Sequence, residues 1–245
     1  MVSPEPLSTL DACLLEGVQP LLSELRESIY ADTIDPAHAD RARAEAFVHA
    51  VFAARYRANV QSFYPTLLSF SDERRLRAIV GFREASGQPL FAEQYLDKPA
   101  QQLIGEQFDV EVHRNELVEV GNLALDNPGD ARWAIAATTE FLHALGYRWV
   151  LFTATRVLVN TFQRLGMRPI ALASAQASML GDQAGQWGNY YRAAPIVCAG
   201  RIASGHRKLH RRAGHPQPML EELLAEVTRL ATHWHRLSAS RGGEY

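Results

Sequence analysis

The stretch Glu116–Leu125, ELVEVGNLAL, decides how the rest of the chain is read. Its apolar content fits a central strand, yet Glu119, Gly121 and Asn122 sit in its middle. Strand side chains point alternately to opposite faces. Regular alternation would therefore put Leu117, Glu119, Gly121, Leu123 and Leu125 on one face, with Val118, Val120, Asn122 and Ala124 on the other. Neither face is then free of a polar group. A glycine inside a strand marks a bulge, or a place where a ligand or another backbone comes close. A bulge at Gly121 would re-aim a side chain and interrupt pairing with the next strand. If that neighbour is YRWVLFTAT (147–155), the two strands part and free backbone groups for an extended, amide-bearing ligand.

Working outward, Asp130 is expected to cap a helix over 131–145 that Gly146 ends. YRWVLFTAT is apolar on both faces, the pattern of a buried parallel strand. RVLVNTFQRLG (156–166) gives a second helix, and PIAL (169–172) and APIVCAGRIA (194–203) give late strands. Upstream, TLLSF (66–70) and LRAIVGFREA (76–85) read as an antiparallel pair, and DVEVHRN (109–115) as a further strand. A helix is expected from Pro36 with Asp35 as its N-cap, and a short one near Pro99. Leucines at helical spacing over 7–29, broken by Gly17 and Pro20, predict two short helices or a kinked one. A final amphipathic helix spans 218–237. Antiparallel strands followed by a βαβα unit predict an α+β fold, with a mixed, mostly antiparallel central sheet and helices on both faces. The expected organisation is an N-terminal helical segment (1–35), a core domain (36–205), and a basic linker with the amphipathic helix (206–245).

The composition is that of a globular chain: 245 residues, 47% hydrophobic and 21% charged. A net charge of −2 makes no case for nucleic acid, and none is expected as a partner. Cys13 and Cys198 lie far apart, so a reducing compartment is expected and Cys198 reads as an inert buried thiol. The N-terminus carries acids where a secretory signal needs a basic start, and no apolar run reaches the roughly 20 residues of a membrane span. The expectation is a soluble, cytoplasmic protein. His233 and His235 are two apart on a helix and cannot share a metal; no zinc-ligand spacing is read elsewhere, and no metal is expected.

The order strand, glycine-containing loop, helix, strand, helix with NTFQRLGM (160–167) resembles the core of GNAT-type N-acyltransferases. In them a splayed strand pair holds the pantetheine arm of an acyl donor. Asn160, Phe162, Gly166 and Met167 match that superfamily's last helix. DNPGDA (126–131) keeps Gly129 and Ala131 of its phosphate loop but puts Asp126 where Gln or Arg belongs. A helix N-terminus attracts phosphate, but Asp126 and Asp130 would repel a pyrophosphate and Arg132 offsets this only in part. A carrier-protein arm with one phosphate suits that loop better than coenzyme A. Phe162 stands where many acetyltransferases place the tyrosine that protonates the leaving thiolate. The acyl-homoserine-lactone synthases, which take acyl chains from acyl carrier protein, tolerate both departures. FYPTLLSF (63–70), LFAEQYLD (90–97), VEVGNLA (118–124), VLFTAT (150–155), NTFQRLGM and WGNYY (187–191) together resemble the thermostable hemolysin family over roughly residues 45–205.

The resemblance implies no tightly bound cofactor, but an acyl-phosphopantetheine co-substrate on a carrier protein or coenzyme A, and a small amine as acceptor. Glu119 is the candidate general base, its pKa lifted by burial; the alternative is a strand carboxylate paired with an arginine such as Arg114. Asn122 and backbone N–H groups freed by the bulge are candidates for the oxyanion, unless Asn122 satisfies its own hydrogen bonds at a bend. Gly121, Leu123, Gly129, Ala131, Arg132, Thr153, Asn160 and Phe162 are candidates for holding the donor. Tyr190 or Tyr191 offers a proton for the thiolate, with Tyr191 preferred, against the alternative of packed core tyrosines. Glu93, Asp97 and Arg114 are candidates for the acceptor, against helix capping at Pro99. The family name implies cell lysis, by the protein itself or by a surfactant product; a catalytically silent acyl-binding module is a third reading. Five Arg/Lys residues between Arg201 and Arg212 fit an acidic carrier protein, a peripheral contact with an anionic membrane, or plain solvation. The stripe of the last helix could pack on the body or on a second subunit as a homodimer.

Overall fold

One sheet organises the computed structural model, which describes residues 28–212 and 218–241. Its strands are β1 (Tyr30–Ile34), β2 (Thr66–Ser71), β3 (Leu76–Glu84), β4 (Leu117–Leu125), β5 (Trp149–Ala154), β6 (Ile170–Ser174) and β7 (Ile196–Arg201). Their spatial order is β1-β2-β3-β4-β5-β7-β6, and only β4 and β5 run parallel. The helices are α1 (Arg41–Tyr56), α2 (Ala100–Phe108), α3 (Ala131–Ala144), α4 (Arg156–Arg164), α5 (Ile202–Arg212) and α6 (Pro218–Arg241). The expected α+β architecture is what forms.

Alternation along the strands sorts the core into layers. Ala78, Val80 and Phe82 of β3 face α3 and α6, packing with Phe70, Trp133 and Phe141. Ile79 points the other way, with Leu67 and Ala124, onto Val48 and Phe52 of α1. On that same side, α2 and a 3₁₀ turn at Phe91–Tyr95 cover Trp149 and Leu151 of β5 and Val197 and Ala199 of β7. The stripe of α6 packs on the body: Leu223, Val227 and Ala231 are buried.

Several local readings change. Residues 30–34 form an edge strand, and the following helix begins at Arg41 rather than Pro36. Asp35 instead closes a turn by accepting the Ala37 N–H (2.9 Å). DVEVHRN is not a strand: Asp109 ends α2 in a left-handed conformation, and a 3₁₀ turn at Arg114–Glu116 leads into β4. The basic run from Ile202 is the helix α5, not a linker. Asp130 precedes α3 but makes no side-chain cap; its carboxylate is turned inward onto Arg77 (3.0 and 3.1 Å) and the Trp133 indole N–H (3.0 Å). The leucine repeat up to residue 27, and Cys13 with it, lies outside the described residues. No helix among the described residues is long and apolar enough to cross a membrane.

Candidate active site

The strands part at Gly121. β4 pairs with β5 from Leu117↔Trp149 to Val120↔Phe152 and no further. Beyond that point β4 stays with β3 to Leu125, while β5 stays with β7 to Ala154. The slot expected from the sequence is therefore present.

The bulge, however, lies against β3 and is centred on Asn122. Gly121 faces Gly81 and Ala124 faces Ile79, so Asn122 and Leu123 together oppose Val80. Asn122 takes the extra residue's strain with φ +47°, a left-handed conformation that Asn tolerates better than most residues. The insertion shifts the alternation by one. Leu123 and Leu125 join Val118 and Val120 on the α3 side, whereas Ala124 goes to the α1 side. That resolves the mixed faces of ELVEVGNLAL: its polar groups end on one side.

What comes close to Gly121 is a side chain of this protein. The Tyr64 ring lies across the cross-strand pair Gly81 and Gly121, where a Cβ on Gly121 would meet ring atoms at 2.5–2.6 Å and one on Gly81 would meet Tyr64 Cβ at 2.8 Å. Asn122 Oδ1 accepts the Tyr64 backbone N–H at 2.9 Å, so its carboxamide oxygen holds this ring in place. The tyrosine is nearly buried, so it has little room to retreat. Gly121→Ala is expected to lower stability by about 1–3 kcal/mol through overpacking. The check is the urea midpoint at unchanged slope; a midpoint equal to the parent's would mean the ring can move aside.

Glu119 is buried behind this ring. Its two oxygens accept the N–H groups of Phe91 (2.8 Å) and Ala92 (2.6 Å), and the Tyr64 hydroxyl is near enough to act on its charge. Burial pushes its pKa up; the two N–H groups, the Arg83 charge and the Tyr64 hydroxyl oppose that shift without cancelling it. Its pairing with Arg114 does not occur. Arg83 is its cross-strand neighbour, with the guanidinium 5.0 Å from the Tyr64 ring centre. Arg83 Nε is buried and has no hydrogen-bond partner among the described residues. By anchoring the turn at 91–95, Glu119 also places Tyr95, whose hydroxyl meets that of Tyr191 at 2.5 Å. Burial raises the pKa of both tyrosines, so both hydroxyls keep their protons at neutral pH.

A cavity of about 320 Å³ opens where the strands part. Its polar end is formed by Tyr64, Arg83, Asn122, Tyr95 and Tyr191. Its apolar end runs between α3 and α4 along Ala134, Ile135, Leu142, Leu158 and Met167. Walls thus come from both layers of the fold, through the gap in the sheet. Among the residues singled out in the sequence, Gly121, Leu123, Ala131, Thr153 and Phe162 also line it. Phe162 stacks on Phe152 (4.8 Å between ring centres) and has no proton to give.

Other expected residues lie elsewhere. Glu93 and Arg114 form a clamp: Arg114 bonds both Glu93 oxygens (2.6 and 3.2 Å) and the carbonyls of Ala85 and Gln88, while Glu93 also accepts the N–H groups of Leu90 and Ala100. Their polar atoms are committed to shaping the loop that precedes β4, which leaves no free carboxylate for an acceptor. Asp97 is exposed and Asn160 does not line the cavity. Gly129 gives its N–H to Asn127 Oδ1 (2.9 Å) rather than leaving it free. The two aspartates beside it are neutralised, Asp126 by Arg75 (3.0 Å) and Asp130 by Arg77, so they repel an anion less than the bare sequence implies. Arg132 and Cys198 stand apart from the polar end; burial pushes the Cys198 thiol up to about 12, consistent with an inert group.

Tyr64 and Arg83 were not foreseen as site residues, and Tyr95 only as a member of LFAEQYLD. The signal available was positional: Gly81 and Arg83 alternate onto the face of β3 that meets Gly121 and Glu119, and two glycines in register call for something bulky above them.

A family model described as thermostable hemolysin matches residues 34–206. None of the curated proteins matches the chain. Among solved structures, FeeM, an N-acyl amino acid synthase from uncultured soil microbes, superposes with TM-score 0.53 at 12% identity, covering 78% of this chain and 99% of its own. BjaI, a CoA-dependent acyl-homoserine lactone synthase solved with SAM and isopentyl-CoA, superposes with TM-score 0.51 at 16% identity, covering 84% and 99%. These likenesses establish a shared fold.

Proposed function

We propose that this chain, which belongs to the thermostable hemolysin family, moves a fatty acyl group from a phosphopantetheine thioester to the amine of an amino acid. The observation that carries this reading is the cavity at the parted strands, apolar at one end and lined at the other by Arg83 and tyrosine hydroxyls. An acyl chain fits the lobe between α3 and α4. The amide-bearing arm lies along the backbone groups that β4 and β5 leave unpaired, and these N–H groups also face the developing oxyanion. Arg83, lacking a protein partner at Nε, takes the acceptor's carboxylate. That is why an amino acid is favoured over a simple amine.

The chemistry needs no covalent enzyme intermediate. As the C–N bond forms and the C–S bond breaks, the amine's proton passes to the Tyr64 hydroxyl while Tyr64 hands its own to Glu119. Tyr191, backed by Tyr95, protonates the departing thiolate. Tyr64 and Tyr191 touch the reactants; Glu119 acts through Tyr64. The donor is carried by acyl carrier protein or by coenzyme A, with Arg168 and Lys208 at the cavity wall available to its phosphate.

Purified protein supplied with palmitoyl-CoA or palmitoyl-carrier protein and a panel of amino acids should yield N-acyl amino acids by mass spectrometry. Absence of any acyl-amide with either donor would overturn the proposal. Lysis then follows from the product, a single-chain anionic surfactant. Direct insertion through α6 is disfavoured because its apolar stripe is already buried against α3 and the sheet.

A further inference from the structure

On the side of α3 facing α5, a second cluster stands apart from the cavity chemistry. Glu140 of α3 is almost buried, and its Oε2 lies 3.2 Å from His206 Nε2 and 2.9 Å from His210 Nε2. The two histidines are four apart on α5, so they share one face of that helix. One ligand atom from each of the three residues lies within 4.8 Å of the others. Zn²⁺ binds imidazole nitrogen and carboxylate oxygen at about 2.0–2.2 Å, which places neighbouring tetrahedral ligands roughly 3.3 Å apart. The two Glu140–imidazole spacings, 3.2 and 2.9 Å, are close to that.

The surroundings fit a metal as well. The His143 ring stacks on His206 (3.8 Å between centres) and orients it from behind, and the Thr228 hydroxyl of α6, which donates to the Leu224 carbonyl (2.8 Å), lies 3.4 Å from the other Glu140 oxygen. The His210 side chain is half exposed, giving an ion a route in and leaving room for a water ligand. We propose that Glu140, His206 and His210 form a site for a divalent first-row transition metal that pins α5 to α3. Two imidazoles and one carboxylate suit Zn²⁺ and its neighbours rather than Mg²⁺ or Ca²⁺. Both helices also contribute to the cavity wall, through Leu142 and Gly205, so the metal fixes the shape of the acyl lobe from outside. The site itself does not depend on the acyltransferase reading.

The test uses tag-free, chelator-treated full chain titrated with ZnCl₂ calorimetrically, alongside thermal melts. One Zn²⁺ per chain with micromolar or tighter affinity and a raised Tm is expected. His210→Ala, a change at the half-exposed ligand, should weaken binding at least tenfold, and His206→Ala should do the same; His233→Ala, on the exposed face of α6, should change nothing. No saturable uptake by the parent, or uptake that survives His210→Ala at full affinity, would overturn the site and leave a hydrogen-bonded His/Glu cluster. If His206→Ala does not fold, His210→Ala and His210→Asn decide the matter.

Discussion

Tyr64→Phe is expected to lower kcat for acyl-amide formation by about 10²-fold or more, the scale of a lost general base. The ring would still cover Gly81 and Gly121, and Glu119 would still hold the N–H groups of Phe91 and Ala92, so the fold and the acceptor KM should change little. The pH profile sharpens the test. The relay works only when Glu119 is ionised, so kcat should rise as pH climbs through its pKa, which burial places above the usual carboxylate value. Tyr64→Phe should remove that rising limb. Unchanged kcat and an unchanged profile would exclude Tyr64 from the proton path. Glu119→Gln is a less selective change. Its carboxamide can accept one backbone N–H, but its NH₂ then faces the other donor, and an unmade buried hydrogen bond costs about 1–3 kcal/mol. Loss of activity in that variant would mix a lost acceptor with a displaced 91–95 turn, whereas the phenylalanine variant isolates the hydroxyl.

Arg83→Met should reduce kcat/KM for an amino acid acceptor by about 10²–10³-fold, the range seen when one partner of a desolvated charge pair is removed. The loss should fall on acceptor KM. The decarboxylated amine of the same side chain should be used equally poorly by the parent and the variant, so the parent's preference for the carboxylate should collapse. Methionine keeps much of the stem that packs beside Tyr64, which limits the effect on stability. If the preference for amino acids survives in Arg83→Met, the carboxylate is held elsewhere, although acyl transfer itself could still stand.

The second half of the chain was readable because its signals are local. Gly146 and Gly166 end α3 and α4 with positive φ, as the sequence pattern requires, and β5 is apolar on both faces because it is central. The splaying of β4 from β5 followed from one glycine in the wrong place for a regular strand. What stayed hidden depended on long-range contacts. Nothing near Tyr64 in sequence says that its ring lies over Gly121, because that contact joins residues 57 positions apart through the β3–β4 register. Glu93 and Arg114 looked like acceptor groups because their mutual clamp, and the N–H groups that saturate Glu93, form only in three dimensions. The bulge was expected at the glycine but falls on Asn122, a side chain that tolerates a left-handed backbone while holding the Tyr64 amide. The run from 206 is expected as a linker, so His206 and His210 do not read as one helical face until α5 is seen, and their partner Glu140 sits far upstream.

The short β4–β5 ladder has a mechanical consequence. Four rungs, Leu117–Val120 against Trp149–Phe152, join a four-stranded half to a three-stranded half, like a pair of tongs riveted near one end. A wedge seated between the jaws acts with leverage on that rivet. Occupancy of the slot should therefore be felt as slower amide deuterium exchange at Val118, a rung residue that does not line the cavity.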